Sequence, residues 1–261
     1  MRFTKMNGLG NDYVYFDVRE INNLHLTTEE IKKICNRHFG IGADGVVIIQ
    51  NSNQADCFMR IYNSDGTEAE ICGNALRCVA RILYDAGCDS IIRIETLAGV
   101  KNTEINRDTT VSVNMGKPVF CGKIYKSVDF PLDGYSVSVG NPHFVIFSDN
   151  ISEDFDKYAQ SISENRDFFL ERTNVEFVKL VDSSILEVRV FERGTGETLA
   201  CGTGATASFY VANMLKFVGD NATVRLKGGC LAFNINQQQE IVMRGDASYN
   251  FLGEINLNGT N

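Results

Sequence analysis

Two cysteines stand in matching surroundings. Cys72 lies in "RIYNSDGTEAEICGN" and Cys201 in "RVFERGTGETLACGT", stretches that begin at Arg60 and Arg189. Aligned, they pair Arg60 with Arg189, Ile61 with Val190, Tyr62 with Phe191, Glu68 with Glu197 and Gly73 with Gly202, at an offset of 129 residues (201 minus 72). "LGNDYV" and "VGNPHF" match in the same order, placing Asn11 on Asn141 at an offset of 130 (141 minus 11). Two ordered matches at nearly one offset predict a chain of two related halves. A thiol that gains and loses a proton near neutral pH is a general acid or base, and glycine directly after it lets a ligand approach the backbone.

Both thiols need elements to hold them. "CFMRIY" and "ILEVRVF" alternate as strands do, and "NSDG" and "RGTG" have turn chemistry. After Cys72 the apolar residues Ala75, Leu76, Val79, Ile82, Leu83 and Ala86 have helical spacing, whereas "ATASFYVANMLKF" after Cys201 is apolar nearly all round. Each half is thus expected to run strand, turn, Cys-Gly, helix, with the cysteine at a helix N-terminus. Further helices are expected at 28–36, capped by Thr27 or Thr28, and at 151–164. Strands are expected at 44–50, 91–96, 110–115, 135–139, 143–148, 174–181, 222–226, 231–235 and 240–244. So many strands predict an α+β fold with mixed or antiparallel sheet wrapped on a central helix. The halves meet near "NMGKPVFCGK", giving units 1–115 and 116–248 with a ligand site in the cleft between them.

A net charge of −8 and a pI near 5.0 exclude the basic footprint that nucleic acid or an anionic membrane requires, so a small-molecule substrate is expected. No apolar core follows the first basic residues and no bilayer-length apolar run occurs, which points to the cytoplasm and to reduced thiols. Cys35, Cys57, Cys78, Cys88, Cys121 and Cys230 then read as ordinary buried thiols. Cys35-x-x-His38 has half a zinc spacing with no second pair, so no metal is expected.

A helix N-terminus offers unpaired N–H groups and partial positive charge, which bind carboxylates and lower a cysteine pKa from about 8.5 to roughly 3.5–7.5. One such thiol could be a nucleophile. Two, on opposite sides of one cleft, fit proton removal from one face of a carbon and return to the other, which is racemisation or epimerisation. The helix starts would stabilise the enolate-like charge, and no cofactor is required.

"GLGNDYVYFD", "HFGIGADGV", "IYNSDGTEAEICGNALRC", "VGNPHFV", "TNVEFV" and "ERGTGETLACGTGATA", in order over residues 3 to 206, resemble the diaminopimelate epimerase family, pyridoxal-independent enzymes that interconvert LL- and meso-diaminopimelate on the way to lysine and peptidoglycan. The resemblance implies two pseudo-symmetric halves, each a sheet rolled around a central helix, with a last strand, about 249–261, crossing back to the first half. It implies Cys72 and Cys201 as the acid/base pair, and Gly73, Asn74, Gly202 and Thr203 as the backbone that holds the reacting carboxylate. Asn11 and Glu192 would hold the reacting amino group. Asn63, Asn141, Asn174 and Arg193 would read the distant L-configured end, Arg193 with a guanidinium suited to carboxylates. His143 and Glu192 would tune the thiols, and the assembly would be a homodimer. Where some family members place a substrate-touching glutamine, this chain has Gly45.

Taken singly, each residue has a plainer reading. Asn11 could cap a turn, His143 could be a packed histidine, and Glu192-Arg193 could be a surface ion pair worth little. Two other functions compete: a racemase of the same fold acting on another amino acid, and a ligand-binding or redox-sensing protein whose two cysteines form a disulfide. Asn63, Asn174 and Arg193 favour a substrate with a second amino-acid head over the first.

Overall fold

The computed structural model describes residues 1–21, 24–127 and 131–256, which form two compact units, Met1–Val113 with Gly245–Asn261, and Asn114–Arg244. In the first, β1 (Arg2–Gly8), β2 (Asn11–Asp17), α1 (Thr28–Cys35), β3 (Gly45–Gln50), β4 (Cys57–Asn63), β5 (Glu68–Ala69), α2 (Gly73–Asp85), β6 (Ile91–Thr96) and β7 (Gly99–Ile105) lead to β8 (Val111–Gly116). The second runs β9 (Val119–Ile124), β10 (Gly134–Ser138), β11 (Pro142–Phe147), α3 (Ile151–Ser163), β12 (Asn174–Asp182), β13 (Ile185–Glu192), β14 (Gly196–Thr198), α4 (Gly202–Met214), β15 (Asn221–Leu226), β16 (Gly229–Ile235) and β17 (Ile241–Gly245). Last comes β18 (Ser248–Glu254), which pairs antiparallel with β1 and so belongs to the first unit. Residues 257–261 of the expected C-terminal strand lie outside the described residues.

Strand pairing repeats from unit to unit. β2 and β3 are parallel, β3 and β4 antiparallel, β4 and β6 parallel, β6 and β7 antiparallel; β11, β12, β13, β15 and β16 repeat this series in the same order. At the start of each series β18–β1–β2 corresponds to β9–β10–β11, antiparallel throughout. The fold is therefore α+β with two pseudo-symmetric halves.

Each sheet encloses one helix and carries another on its back. α2 touches β1 and β2 from one end of its sheet and β6 and β7 from the other, so the sheet curls round it. α4 likewise touches β10, β11, β12, β13, β15 and β16, and every residue from Gly202 to Phe209 is buried, as a helix apolar on all sides requires. The outer helix α1 is amphipathic and closes a cluster that includes Val14, Phe16, Ile31, Ile34, Val46 and Ile48. Its N-cap is Thr27, in a reciprocal capping box with Glu30. α3 does the same over Phe144, Ile146, Phe155, Ile162, Val175 and Phe177.

Several strands differ from the sequence reading. β1 and β2 escaped because Lys5, Asn7, Asn11 and Asp12 break the apolar alternation, and of these Asn11 meets the first thiol. β8 and β9 together occupy most of the stretch read as a join. The cysteines divide as well: Cys35, Cys57 and Cys78 are buried, but Cys121 and Cys230 are exposed and Cys88 is half-buried. Cys230 is on the outward side of β16, one residue from buried Leu231, and strand alternation decides the matter.

Burial raises the buried thiols from an ordinary 9.0, to about 12 at Cys57 and about 11 at Cys78. The folded chain keeps these protons over a range where the unfolded chain has released them. Their stabilisation is complete below pH 9.0 and lost as pH climbs through the folded values, each thiol contributing a slope of up to about 1.4 kcal/mol per pH unit. Urea unfolding at pH 8.5 and 10.5 is expected to show the loss, and Cys57→Ala should flatten it. An unchanged pH dependence in that variant would contradict the assignment.

Candidate active site

In the first unit Cys72 is the N-cap of α2, with extended backbone at φ −141° and ψ 118°. Its Sγ donates to Asn11 Oδ1 at 3.5 Å, and Asn74 Nδ2 donates to the same oxygen at 3.1 Å. Asn11 is fixed from behind by Asp44, whose Oδ2 accepts from Asn11 Nδ2 at 2.9 Å. Asp44 and Asp12 both accept from Arg37, and Asp12 also accepts from the buried ammonium of Lys5. Asn11 is thus more than a turn cap. That task falls to Asn7, whose Oδ1 accepts from Gly10 N at 3.0 Å.

Beneath the first turn of α2 lies a fully buried arginine that the sequence reading passed over. Arg77 Nη2 donates to Asn74 Oδ1 at 3.0 Å, Nη1 to Gly73 O at 3.5 Å and Nε to Asp246 O at 3.0 Å. Gly8 makes room, since a Cβ there would stand 2.8 Å from Nη2. Asn63 stands at the exposed end of β4, opposite Gly45, with its Nδ2 donating to Thr67 Oγ1 at 3.0 Å.

Gly45 is sterically required. A Cβ there would lie 2.1 Å from Tyr62 O and 2.6 Å from the Tyr13 ring, so Tyr13 fills the space a longer residue would take. Gly45→Gln is expected to cost about 2 kcal/mol or more, because the paired β4 backbone must move. Thermal unfolding measures this, and an unshifted midpoint would refute it.

In the second unit Cys201 is the N-cap of α4, also extended, at φ −120° and ψ 112°. Its buried Sγ accepts from Gly204 N at 3.4 Å and lies 3.4 Å from Thr203 Oγ1. Asn141 Nδ2 donates to that hydroxyl at 3.5 Å, and Asn141 Oδ1 meets His143 Nε2 at 3.0 Å. Asn174 donates to Pro142 O at 3.0 Å and accepts from Arg193 N at 3.0 Å, tying β12 to the turn after β13. Glu192 accepts from Thr198 Oγ1 at 2.6 Å, and Arg193 Nη1 donates to Glu171 O at 3.2 Å.

The expected lowering of a helix-start thiol is reversed at Cys201. Burial raises its pKa well above 9.0, the Glu192 and Glu176 charges raise it further, and Thr203 and the Gly204 N–H oppose them. Burial wins because the sulfur is shut off from water. His143, expected to tune a thiol, has Glu176 as its direct ionisable partner, with Nδ1 and Oε1 2.7 Å apart and both side chains fully buried. Within each unit the fold thus gathers most of the residues the repeat marked. It adds Asp44, Arg77 and Glu176, which sequence spacing alone did not separate from ordinary strand and helix residues.

Residues 3–121 and 135–250 match the family model for diaminopimelate epimerase. A diaminopimelate epimerase of Acetivibrio thermocellus is 42% identical over 99% of both chains, and one of Methanococcus maripaludis 43% identical over 98% of this chain and all of the other. The chain belongs to the diaminopimelate epimerase family. It is accordingly an isomerase. Among solved structures, a PhzF-family phenazine biosynthesis protein of Bacillus anthracis superposes with a TM-score of 0.75 at 17% identity, covering 98% of each chain. A hydroxyproline epimerase of Agrobacterium vitis gives 0.72 at 12% identity, over 98% of this chain and 90% of that one. Both share the fold of this epimerase-family chain. Among the described residues there is no cluster of three or more His, Cys, Asp or Glu side chains that could hold a metal, and no helix long and apolar enough to cross a membrane.

Proposed function

We propose that the chain interconverts LL- and meso-diaminopimelate without a cofactor, Cys72 and Cys201 exchanging the α-proton, as a step toward lysine and peptidoglycan precursors. The observation that carries this reading is the paired N-cap: two units of one topology each place a thiol and then a glycine at the start of the enclosed helix. One cysteine, as thiolate, takes the proton from Cα, and the electron pair of the C–H bond passes into the carboxylate as an enolate. The other cysteine, as thiol, gives its proton to the opposite face, and the pair returns to carbon. Backbone N–H groups at Gly73, Asn74, Gly202 and Thr203 stabilise the enolate oxygens, helped by the positive ends of both helices. Asn11 and Glu192 hold the reacting amino group, and Asn63, Asn141, Asn174 and Arg193 read the distant amino-acid end.

After one turnover the thiol and thiolate have changed places, so solvent must reset them. In D2O the purified enzyme, without added pyridoxal phosphate, is expected to put deuterium at Cα of the product. Inversion without deuterium, or activity that needs a carbonyl cofactor, would overturn the reading.

A further inference from the structure

Behind Cys201 lies a buried acid that the proposed chemistry does not use. Glu176 on β12 and His143 on β11 are fully buried, and Oε1 is the carboxylate atom that meets the ring. Glu176 Oε2, also buried, has no hydrogen-bond partner among the described residues, so the side chain's one polar engagement is with His143. Its carboxylate also abuts the start of α4, where a Cβ at Gly204 would lie 2.6 Å from Oε1. Glycine there lets an acid approach the positive helix end. Among the described residues the first unit has no such buried His–Glu pair. In register, Tyr13 faces Gly45 as His143 faces Asn174, and Val47 stands two residues beyond Gly45 as Glu176 stands beyond Asn174. A tyrosine and a valine therefore occupy, behind Cys72, the positions of the histidine and the glutamate.

From the pair a continuous path leads to the sulfur. Asn141 gives its Nδ2 to Thr203, so its Oδ1 is the atom facing His143 Nε2, which must then carry a proton. Thr203 Oγ1 receives from Asn141, which leaves its own hydrogen for Cys201 Sγ. Nδ1 and the carboxylate share one further proton across 2.7 Å. We propose that Glu176 is a positioning residue: by sharing a proton with Nδ1 it holds the His143 ring with Nε2 directed at Asn141 Oδ1, and through Asn141 and Thr203 this aims a hydroxyl at Cys201. The inference rests on the proposed acid–base role of Cys201.

The chain has three histidines, and His25 and His38 are exposed, so ¹⁵N-histidine labelling isolates the buried His143. NMR of the whole protein is expected to show a slowly exchanging Nε2–H on that ring. Glu176→Val, which installs the residue of the first half, should lower kcat about 10- to 100-fold with KM changed less than about threefold. Glu176→Gln can donate to Nδ1 and keep Nε2 protonated, and should restore kcat to within about fivefold of the parent. A wild-type ring without a proton on Nε2, or a folded Glu176→Val enzyme with parental kcat, would overturn the inference. Failure of the wild type to epimerise would instead sink the functional reading, and the ring protonation is measured without any turnover.

Discussion

Cys72→Ala and Cys201→Ala are each expected to lower epimerisation by about 10³-fold or more while leaving substrate binding within a few-fold. Inversion needs a base on one face and an acid on the other, so one thiol cannot complete it. A single thiol can still take a proton and return a deuteron to the same face. In D2O each variant should therefore exchange the α-hydrogen of one stereoisomer with retention and leave the other untouched. Chiral analysis with mass detection reads both outcomes, and it also assigns each thiol to its stereoisomer. If either variant inverts the carbon at a rate near that of the parent, the two-base scheme is wrong.

Arg77→Leu is expected to destabilise the protein by about 3–5 kcal/mol, the range found when one member of a buried polar network is removed. The buried guanidinium is the common partner of Gly73 O, Asn74 Oδ1 and Asp246 O. Losing it orphans acceptors at the base of α2 and unties the segment that leads into β18. Leucine retains part of the apolar volume, so the loss measures the hydrogen bonds more than a cavity. The corresponding residue of α4, Thr206, bonds within its own helix, to Gly202 O at 2.7 Å. Thr206→Ala should cost far less, about 1 kcal/mol. Equal losses in the two variants, measured by urea unfolding, would refute the special role of Arg77.

What could be read from the sequence follows from what repeats. The Cys-Gly pairs, the Asn11 and Asn141 turns and the helix periodicity after Cys72 are local patterns, and each survives in the structure at the expected place. Asp44, Arg77 and Glu176 were not legible because their meaning depends on strand register and on burial. Glu176, in "NVEFV", looks like an outward strand position until β11 and α4 cover it. Arg77 sits on a helix whose apolar stripe was read correctly, yet the buried surface extends beyond that stripe, because β1 and β2 wrap round to the other side. The helix-start rule erred at Cys201 for a related reason: it holds for a thiol that water can reach, and this one is enclosed.

The return of β18 to β1 fixes an order of assembly. The second unit is one uninterrupted segment, Asn114–Arg244, and all of its strands are present once that segment has been synthesised. The first unit begins at Met1, but its sheet waits for Ser248–Glu254 to cover β1. During synthesis, which adds about 5–20 residues each second, β1 keeps an open edge while the second half is made. The half made first is thus completed last, and β1 must stay free of other partners until β18 arrives.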